Sequence, residues 1–244
     1  MRFDVISVLP EIFSAVTELG VTGRAFRNGL AELNSWNPRD YAKDRHKTVD
    51  DRVYGGGPGM VMMVEPLERA LSDIRAAGNN GPLVYLSPQG KTFDQAMAQS
   101  ILQQKEVVLL AGRYEGVDER FVASAVDIEV SLGDFVTSGG ELPAMLMVDA
   151  ITRLIPGALG HSASAEQDSF SDGLLDYPHY TRPEAVNGAE VPKVLMSGDH
   201  EKIRRWRLQQ SLVRTSQRRP ELLQQRGMNK EEQQLFKAWQ PPKE

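Results

Sequence analysis

The first 155 residues alternate between short, continuous apolar runs and stretches in which apolar residues recur every three or four positions. The continuous runs predict buried strands at Phe3–Leu9, Leu83–Leu86, Val107–Ala111 and Ile128–Ser131. The periodic stretches predict helices at Pro10–Leu19, Glu65–Ala77, Phe93–Leu102 and Leu142–Ile155, with a shorter helix that Asp118 caps and that ends near Ala125. This alternation is typical of an α/β domain with a mostly parallel sheet.

Two local signals refine these helices. Gly20 is predicted to stop the first one, and Thr92 with Gln95 forms a capping-box pattern that would open the helix at Phe93. The strand at Leu83–Leu86 is predicted to end in a turn at Ser87–Gly90.

The pattern changes after Ile155. From Pro156 to about Tyr180 the chain is rich in Gly, Ala, Ser and Asp and has no periodicity, which predicts a linker or a lid. Farther on, Asp199 is placed to cap a basic helix that Pro220 ends, and a polar helix is predicted at Asn229–Trp239.

The composition narrows the class of protein. With 41% apolar and 25% charged residues in 244, the chain is that of an ordinary globular protein. It has no cysteine, which excludes disulfides and thiolate metal sites, and its four histidines lack metal-ligand spacing. The N-terminus does not resemble a signal peptide, and the apolar runs are too short to cross a bilayer. We therefore expect a soluble, cytoplasmic protein without a membrane partner.

Charge is unevenly distributed along the chain. Residues 1–160 carry 15 basic and 21 acidic residues, whereas Glu201–Arg226 carries eight basic residues and two acidic ones. Arg204, Arg205 and Arg207 surround Trp206, an arrangement that suits RNA phosphates with an aromatic side chain between them. A solvated helix that packs Trp206 inward explains the same pattern, and both readings can hold together.

Three glycine-bearing loops follow predicted strands, at Ser87–Gly90, Gly112–Gly116 and Ser131–Gly140. Ligands bind at the carboxyl ends of strands in α/β sheets, and glycine lets the backbone approach them. One such loop is most simply a tight turn, but with three in succession a ligand pocket becomes as well supported as three tight turns. The spacings of a P-loop, of a dinucleotide-binding loop and of a serine-hydrolase elbow are all absent, so the pocket's ligand stays open at this point.

Other candidates are equally open on spacing alone. The stretch Asp50–Met60 holds four glycines in five residues near several basic side chains, and it suits either phosphate contacts or a solvated loop. Asp168 reads first as a solvated loop carboxylate. Arg153 reads first as a cation at the end of an apolar helix, where it favours the helix dipole.

Six long motifs resemble those of bacterial tRNA (guanine-N1)-methyltransferases of the TrmD type. They are DRHKTVDDRVYGGGPGMVMMVEPL (Asp44–Leu67), YLSPQGK, GRYEGVDER, GDFVTSGGELPAM, FSDGLLDYPHYTRPE and IRRWRLQQSL. The resemblance runs in the same order from Phe3 to about Leu223, and about twenty terminal residues lack a clear counterpart.

The resemblance implies a SPOUT-type α/β fold with a mostly parallel sheet, a trefoil knot near the end of the catalytic domain, and a small helical C-terminal domain. It implies methyl transfer from S-adenosylmethionine to N1 of the guanosine at tRNA position 37, just 3′ of the anticodon, by a homodimer with composite active sites. The corresponding segments are a catalytic domain at 1–158, a flexible linker at 159–175 and a tRNA-binding domain at 176–244.

Position by position, the resemblance implies a general base at Asp168, with Arg153 as its partner near the guanine. It also implies a dependence on Mg²⁺, for which Glu115 is a candidate contact, although no metal-ligand cluster is recognisable. The implied cofactor residues are Tyr85, Leu86, Ser87, Pro88, Gly112, Tyr114, Glu115, Ser131, Leu132, Gly133, Asp134, Phe135, Val136, Thr137, Ser138, Gly139, Gly140 and Pro143.

Two alternatives use the same fold. A non-catalytic RNA-binding factor would be expected to lose Asp168 or to fill the glycine loops, and neither has happened. An rRNA methyltransferase is less consistent with motifs that continue into the C-terminal domain.

Overall fold

The computed structural model describes residues 1–160 and 168–239 and divides into two compact units, Met1–Ser162 and Ala163–Glu244. The strands of the first unit are β1 (Arg2–Ile6), β2 (Glu32–Trp36), β3 (Asp50–Arg52), β4 (Met60–Met62), β5 (Leu83–Thr92), β6 (Glu106–Leu110) and β7 (Ile128–Ser131). Its helices are α1 (Ser14–Thr17), α2 (Gly20–Arg27), α3 (Val64–Ala76), α4 (Gln95–Gln104), α5 (Glu119–Ala125) and α6 (Glu141–Arg153). Two 3₁₀ turns lie at Pro10–Phe13 and Pro38–Tyr41.

Five strands form one sheet in the order β2-β1-β6-β5-β7, and every neighbouring pair is parallel. The predicted α/β fold with a mostly parallel sheet is confirmed. β3 and β4 form a separate antiparallel hairpin.

The sheet is covered on both faces. Val5, Val84 and Leu109 face α4 and α6, whereas Ile6 and Leu110, the alternate residues of their strands, face α3 and α5. All five side chains are inaccessible to solvent. Central strands buried on both faces explain why they read as continuous apolar runs.

Several predicted boundaries are wrong. β1 ends at Ile6 and not at Leu9. The first helical stretch ends at Thr17, and Gly20 is the first residue of α2. β5 does not end at Leu86: it continues to Thr92, because Leu86 and Lys91 both pair with Val130 and the four residues between them form an irregularity of the strand. Thr92 therefore pairs within the sheet, and Asp94 caps α4 instead by accepting a hydrogen bond from Met97 N at 2.8 Å.

The second unit contains helices and also a short β-hairpin; the sequence pattern did not indicate the hairpin. Its elements are β8 (Ala185–Val186), β9 (Ala189–Glu190), a 3₁₀ turn (Lys193–Met196), α7 (His200–Arg218), α8 (Pro220–Arg226) and α9 (Lys230–Ala238). Asp199 caps α7 as predicted, by accepting from Lys202 N at 3.1 Å.

Leu174, Leu212 and Leu235 form the core of this unit. Of the predicted linker, residues 161–167 lie outside the described residues, and Leu174 at its other end is 3% exposed. Within the described ranges, no helix is long and apolar enough to cross a membrane.

Candidate functional site

A cavity of about 270 Å³ lies in the first unit, between the irregular segment inside β5 and the loops that follow β6 and β7. Its lining includes most of the positions proposed from the sequence: Tyr85, Leu86, Ser87, Pro88, Gly112, Tyr114, Glu115, Ser131, Leu132, Phe135, Val136, Thr137, Ser138, Gly139, Gly140 and Pro143. Gly133 and Asp134 belong to the third loop but do not line the cavity. Gln89, Arg113, Gly116 and Val130 line it as well. The first three belong to the loops predicted from the sequence, but none of the four was among the implied cofactor residues.

The pocket loops meet through their backbones, which requires glycine at the meeting points. Gly140 N donates to Gly112 O at 2.8 Å. A Cβ on Gly140 would lie 2.7 Å from Ala111 Cα, and a Cβ on Gly112 would lie 2.7 Å from the Tyr85 ring. Burial in this contact raises the pKa of Tyr85. Any side chain at either glycine would separate the walls of the pocket.

A buried ion pair joins two of these loops. Glu141, the first residue of α6, is 1% exposed and accepts from Arg113 Nε at 2.9 Å and from Ser7 Oγ at 3.0 Å. The carboxylate thus ties α6 to the loops that follow β1 and β6. Sequence reasoning missed this pair because its members are 28 positions apart and only the tertiary fold brings them together.

The glycine-rich stretch supports the pocket from outside. Glu115 N donates to Met60 O at 2.8 Å, and the Glu115 side chain fills the space beside Gly59 that a Cβ would need. Tyr114 accepts a hydrogen bond from Arg39 Nη2 at 3.1 Å, and burial raises the pKa of Tyr114. The hairpin formed by β3 and β4 is therefore attached to the loop that follows β6.

The tip of this hairpin is open, with Tyr54 96% exposed. Of the basic residues near it, Lys43 pairs with Glu65 at 2.5 Å and Lys47 pairs with Asp40 at 3.0 Å. These pairs favour a structural role for both lysines over phosphate binding.

The two predicted catalytic residues are placed differently from the pocket residues. Gly140 precedes the first turn of α6 and Arg153 is its last residue, so they are about 20 Å apart along the helix at 1.5 Å per residue. Asp168 belongs to the second unit, where it lines a cavity of about 480 Å³ together with Tyr177 and Arg207. Within the first unit, the pocket and Arg153 are not brought together.

The basic surface of α7 is partly engaged. Arg204 pairs with Glu201 at 2.8 Å and with Glu231 at 2.5 Å, and the Arg207 guanidinium lies 4.8 Å from the centre of the Tyr177 ring. Arg205 is exposed, while Trp206 is half-buried, with its ring 6.4 Å from that of Tyr180.

The donors for a metal ion are few. In the two described ranges, no group of three or more His, Cys, Asp or Glu residues is arranged to hold an ion. Glu115 lines the pocket as a single carboxylate.

These features define an α/β protein with a pocket beside its parallel strands, and with an arginine-bearing helical unit in the same chain. The sequence profile of the family described as tRNA (guanine-1)-methyltransferase TrmD matches residues 1–225. The chain belongs to this family, which confirms the resemblance of its motifs.

Relatives named tRNA (guanine-N(1)-)-methyltransferase match almost the whole chain. The protein of Stutzerimonas stutzeri (strain A1501) is 59% identical over 237 residues, which is 97% of this chain and 95% of the relative. That of Marinomonas sp. (strain MWYL1) is 59% identical over 239 residues, covering 98% and 96%. That of Shewanella oneidensis is 60% identical over 237 residues, covering 97% and 96%. The similarity therefore extends past Leu223, the approximate end of the resemblance read from the sequence.

Proposed function

We propose that this protein methylates N1 of the guanosine at position 37 of tRNA, 3′ of the anticodon, and that S-adenosylmethionine is the methyl donor. The observation that carries the proposal is the pocket between the irregular segment of β5 and the loops after β6 and β7, built from motifs of a tRNA (guanine-1)-methyltransferase family. In this proposal the first unit binds the donor and the second unit binds tRNA.

The pocket residues suit S-adenosylmethionine. Leu86, Leu132 and Pro143 provide apolar walls for a flat base, and the glycine loops expose backbone groups that can hydrogen-bond its edge. Glu115 adds a carboxylate, which suits a ligand with sulfonium and ammonium charges. When bound, S-adenosylmethionine supplies an electrophilic methyl group on its sulfonium.

The target nitrogen needs a base. Guanine N1 carries a proton at neutral pH, so it is a poor nucleophile until that proton is removed. We assign this step to the Asp168 carboxylate, which must lie within hydrogen-bond reach of N1 in the complex. Loss of the proton moves negative charge onto O6, and we assign its stabilisation to the Arg153 guanidinium.

The exposed face of α6 supports a homodimer with composite sites. Leu142, Leu146, Asp149 and Arg153 follow one another at helical spacing on a single face, and the two leucines are 55% and 51% exposed. If two copies pack along this face about a twofold axis perpendicular to α6, their α6 helices run antiparallel. The partner's Arg153 then lies beside Leu142, at the pocket end of the helix, which resolves the 20 Å separation within one chain.

We also propose a trefoil knot in the first unit. β5 lies between β6 and β7, so the chain passes from one side of β5 to the other after β6. The loop after β7 then packs against Ala111 and Gly112. General topology rules disfavour such threading, so the sequence pattern would not have indicated it.

Methyl transfer is tested with purified protein, labelled S-adenosylmethionine and tRNA transcripts that carry guanine or another base at position 37. We expect label only in transcripts with guanine there. Asp168→Asn should lower turnover by about 10²–10⁴-fold with nearly unchanged donor affinity. Binding of tRNA without transfer would indicate a non-catalytic factor, and label in rRNA alone would indicate the other alternative.

The composite site is tested by mixing two inactive proteins, Asp168→Asn and Gly140→Arg. After subunit exchange about half of the dimers are mixed and each has one site without a lesion, so about a quarter of all sites should recover. If each chain built its own site, every site would keep a lesion. No recovery, once differently tagged chains are shown to co-purify and both variants are shown to fold, rules out sharing.

A further inference from the structure

Residues 168–176, which we call the Asp168 turn, are folded on themselves. Phe170 N donates to Leu174 O at 2.7 Å, and Asp176 N donates to Ser169 Oγ at 3.0 Å. These two hydrogen bonds close the turn at two levels. The conformation of the turn is therefore determined by its own hydrogen bonds, whereas its position depends on its contacts with the surrounding helices.

Arg226, the last residue of α8, attaches the turn to a buried carboxylate. Its Nε donates to Asp172 O, while Nη1 and Nη2 donate to the two oxygens of Glu232 at 3.0 and 2.8 Å. Glu232 is 3% exposed, and the guanidinium lowers its pKa. The Arg226 stem also lies against Gly173, where a Cβ would come within 2.9 Å of Arg226 Cδ.

Two further contacts connect the turn to the neighbouring helix. Leu174 is buried against Leu212 of α7, and Leu175 N donates to Thr215 Oγ1 of the same helix at 2.9 Å. The turn is thus bound to α7 by an apolar contact and a neutral hydrogen bond. Arg226 supplies the charged connection to α8 and α9.

We propose that Arg226 is a positioning residue for Asp168. The inference rests on the proposed function, in which Asp168 removes the N1 proton. A guanidinium can hold both oxygens of Glu232 and the Asp172 carbonyl at once, because its donors form a rigid planar fork. The turn is thereby joined to α8 and α9, while Leu174 and Leu175 join it to α7, the helix that carries Arg204 and Arg205. In this proposal the base therefore reaches the guanine as these helices dock on the tRNA.

Arg226→Lys tests this role without leaving Glu232 uncompensated, because the ammonium keeps the charge but cannot make all the fork's contacts. We expect kcat at saturating tRNA and donor to fall by about 10–100-fold, since a small misplacement of a reacting group costs this much. The KM for tRNA and the affinity for S-adenosylmethionine should stay within about threefold, because the contacts that determine them are not those that place the base.

A second readout separates positioning from general damage to the fold. If Arg226 acts through Asp168, adding Arg226→Lys to Asp168→Asn should lower kcat by less than about twofold further, because coupled residues are not additive. The kcat of Arg226→Lys should also rise with pH more steeply than that of the wild type, since solvent base replaces a misplaced carboxylate. Glu231→Gln, which breaks the exposed pair with Arg204, is the matched control and should leave kcat unchanged.

Each outcome decides the matter. Wild-type kcat in Arg226→Lys, or a loss that multiplies fully with that of Asp168→Asn, refutes the positioning role. A parallel loss in Glu231→Gln refutes it too, because any weakened helix contact would then suffice. Wild-type kcat in Asp168→Asn refutes the proposed base itself and the inference with it, which distinguishes the two failures. Thermal unfolding of every variant confirms that the proteins are folded at the assay temperature.

Discussion

Replacing Gly140 by alanine places a methyl group where two backbone segments already touch. The new Cβ would lie 2.7 Å from Ala111 Cα and 2.8 Å from Gly112 N, whereas ordinary contacts begin at 3.4 Å. The segments must therefore separate by about 0.7 Å. Because both neighbours are backbone atoms, no side-chain rotation can relieve the overlap. The same movement strains the hydrogen bond from Gly140 N to Gly112 O.

The size of the effect follows from the cost of overpacking. An extra methyl group in a close-packed site costs about 1–3 kcal/mol, which corresponds to about 5–150-fold in an equilibrium constant. If donor binding requires the wild-type separation of the loops, we expect the Kd for S-adenosylmethionine to rise by up to that factor. Any loss of folding stability in the ligand-free variant should appear as a lower Tm, by about 2–4 °C for each kcal/mol.

Titration calorimetry with S-adenosylmethionine and thermal unfolding measure the two parts separately. Gly160→Ala is the matched control, because a Cβ there has no atom of the described residues within 4 Å and its backbone is not in the left-handed region. We expect Gly160→Ala to bind and unfold like the wild type. Wild-type affinity and Tm in Gly140→Ala would refute the claim that the pocket requires this backbone contact.

Three further predictions follow. Arg113→Ala strands the buried Glu141 carboxylate, and urea titration should show a free energy of unfolding lower by about 3–5 kcal/mol. Arg205→Ala should lower the slope of log tRNA affinity against log salt by about one unit. Arg204→Ala should change that slope less, because two glutamates already engage this arginine. Burial raises the pKa of Tyr41 from 10.0 to about 12, so stability should fall as the pH rises from 10 towards 12, where the unfolded chain ionises first, and Tyr41→Phe should reduce that slope.

Each of these has a contrary result. An unchanged urea midpoint in Arg113→Ala would mean that Glu141 is satisfied without its guanidinium. Equal salt slopes for the Arg205 and Arg204 variants would mean that the ion pairs of Arg204 open on binding. A wild-type alkaline slope in Tyr41→Phe would assign that slope to other groups.

Features that depend on neighbouring positions were predictable from the sequence. β7 was predicted at its observed bounds, and β6 within one residue at each end. Asp118 caps α5 by accepting from Arg120 N at 2.9 Å, and Asn229 caps α9 in a capping box with Glu232. A capping side chain and the residue whose backbone N–H donates to it lie within one turn of helix, so both are visible in a short stretch of sequence.

Features that depend on partners far along the chain were not predictable from the sequence. β2 is a mostly exposed, polar edge strand whose pairing with β1 no local pattern indicates. Ser87–Gly90 was read as a turn that ends the strand, because Ser-Pro-Gln-Gly is a turn signal. These four residues are indeed irregular, but Lys91 and Thr92 beyond them pair with β7 and keep the strand in the sheet. Sheet pairing overrides such preferences whenever a partner strand is present, and the sequence does not name the partner.

The candidate site likewise has features that the sequence indicated and features that only the tertiary structure determined. The glycines after each strand marked the pocket from sequence, because close approach of backbone demands glycine wherever it occurs. The sequence did not indicate which loops meet. The order of the strands and the packing of the helices decide this, and they also bring Arg113 to Glu141 and Arg226 to Glu232 within hydrogen-bond reach. Asp168 and Arg153 had no local signature at all, since a carboxylate or a guanidinium has a chemical role only through what the folded chain places beside it.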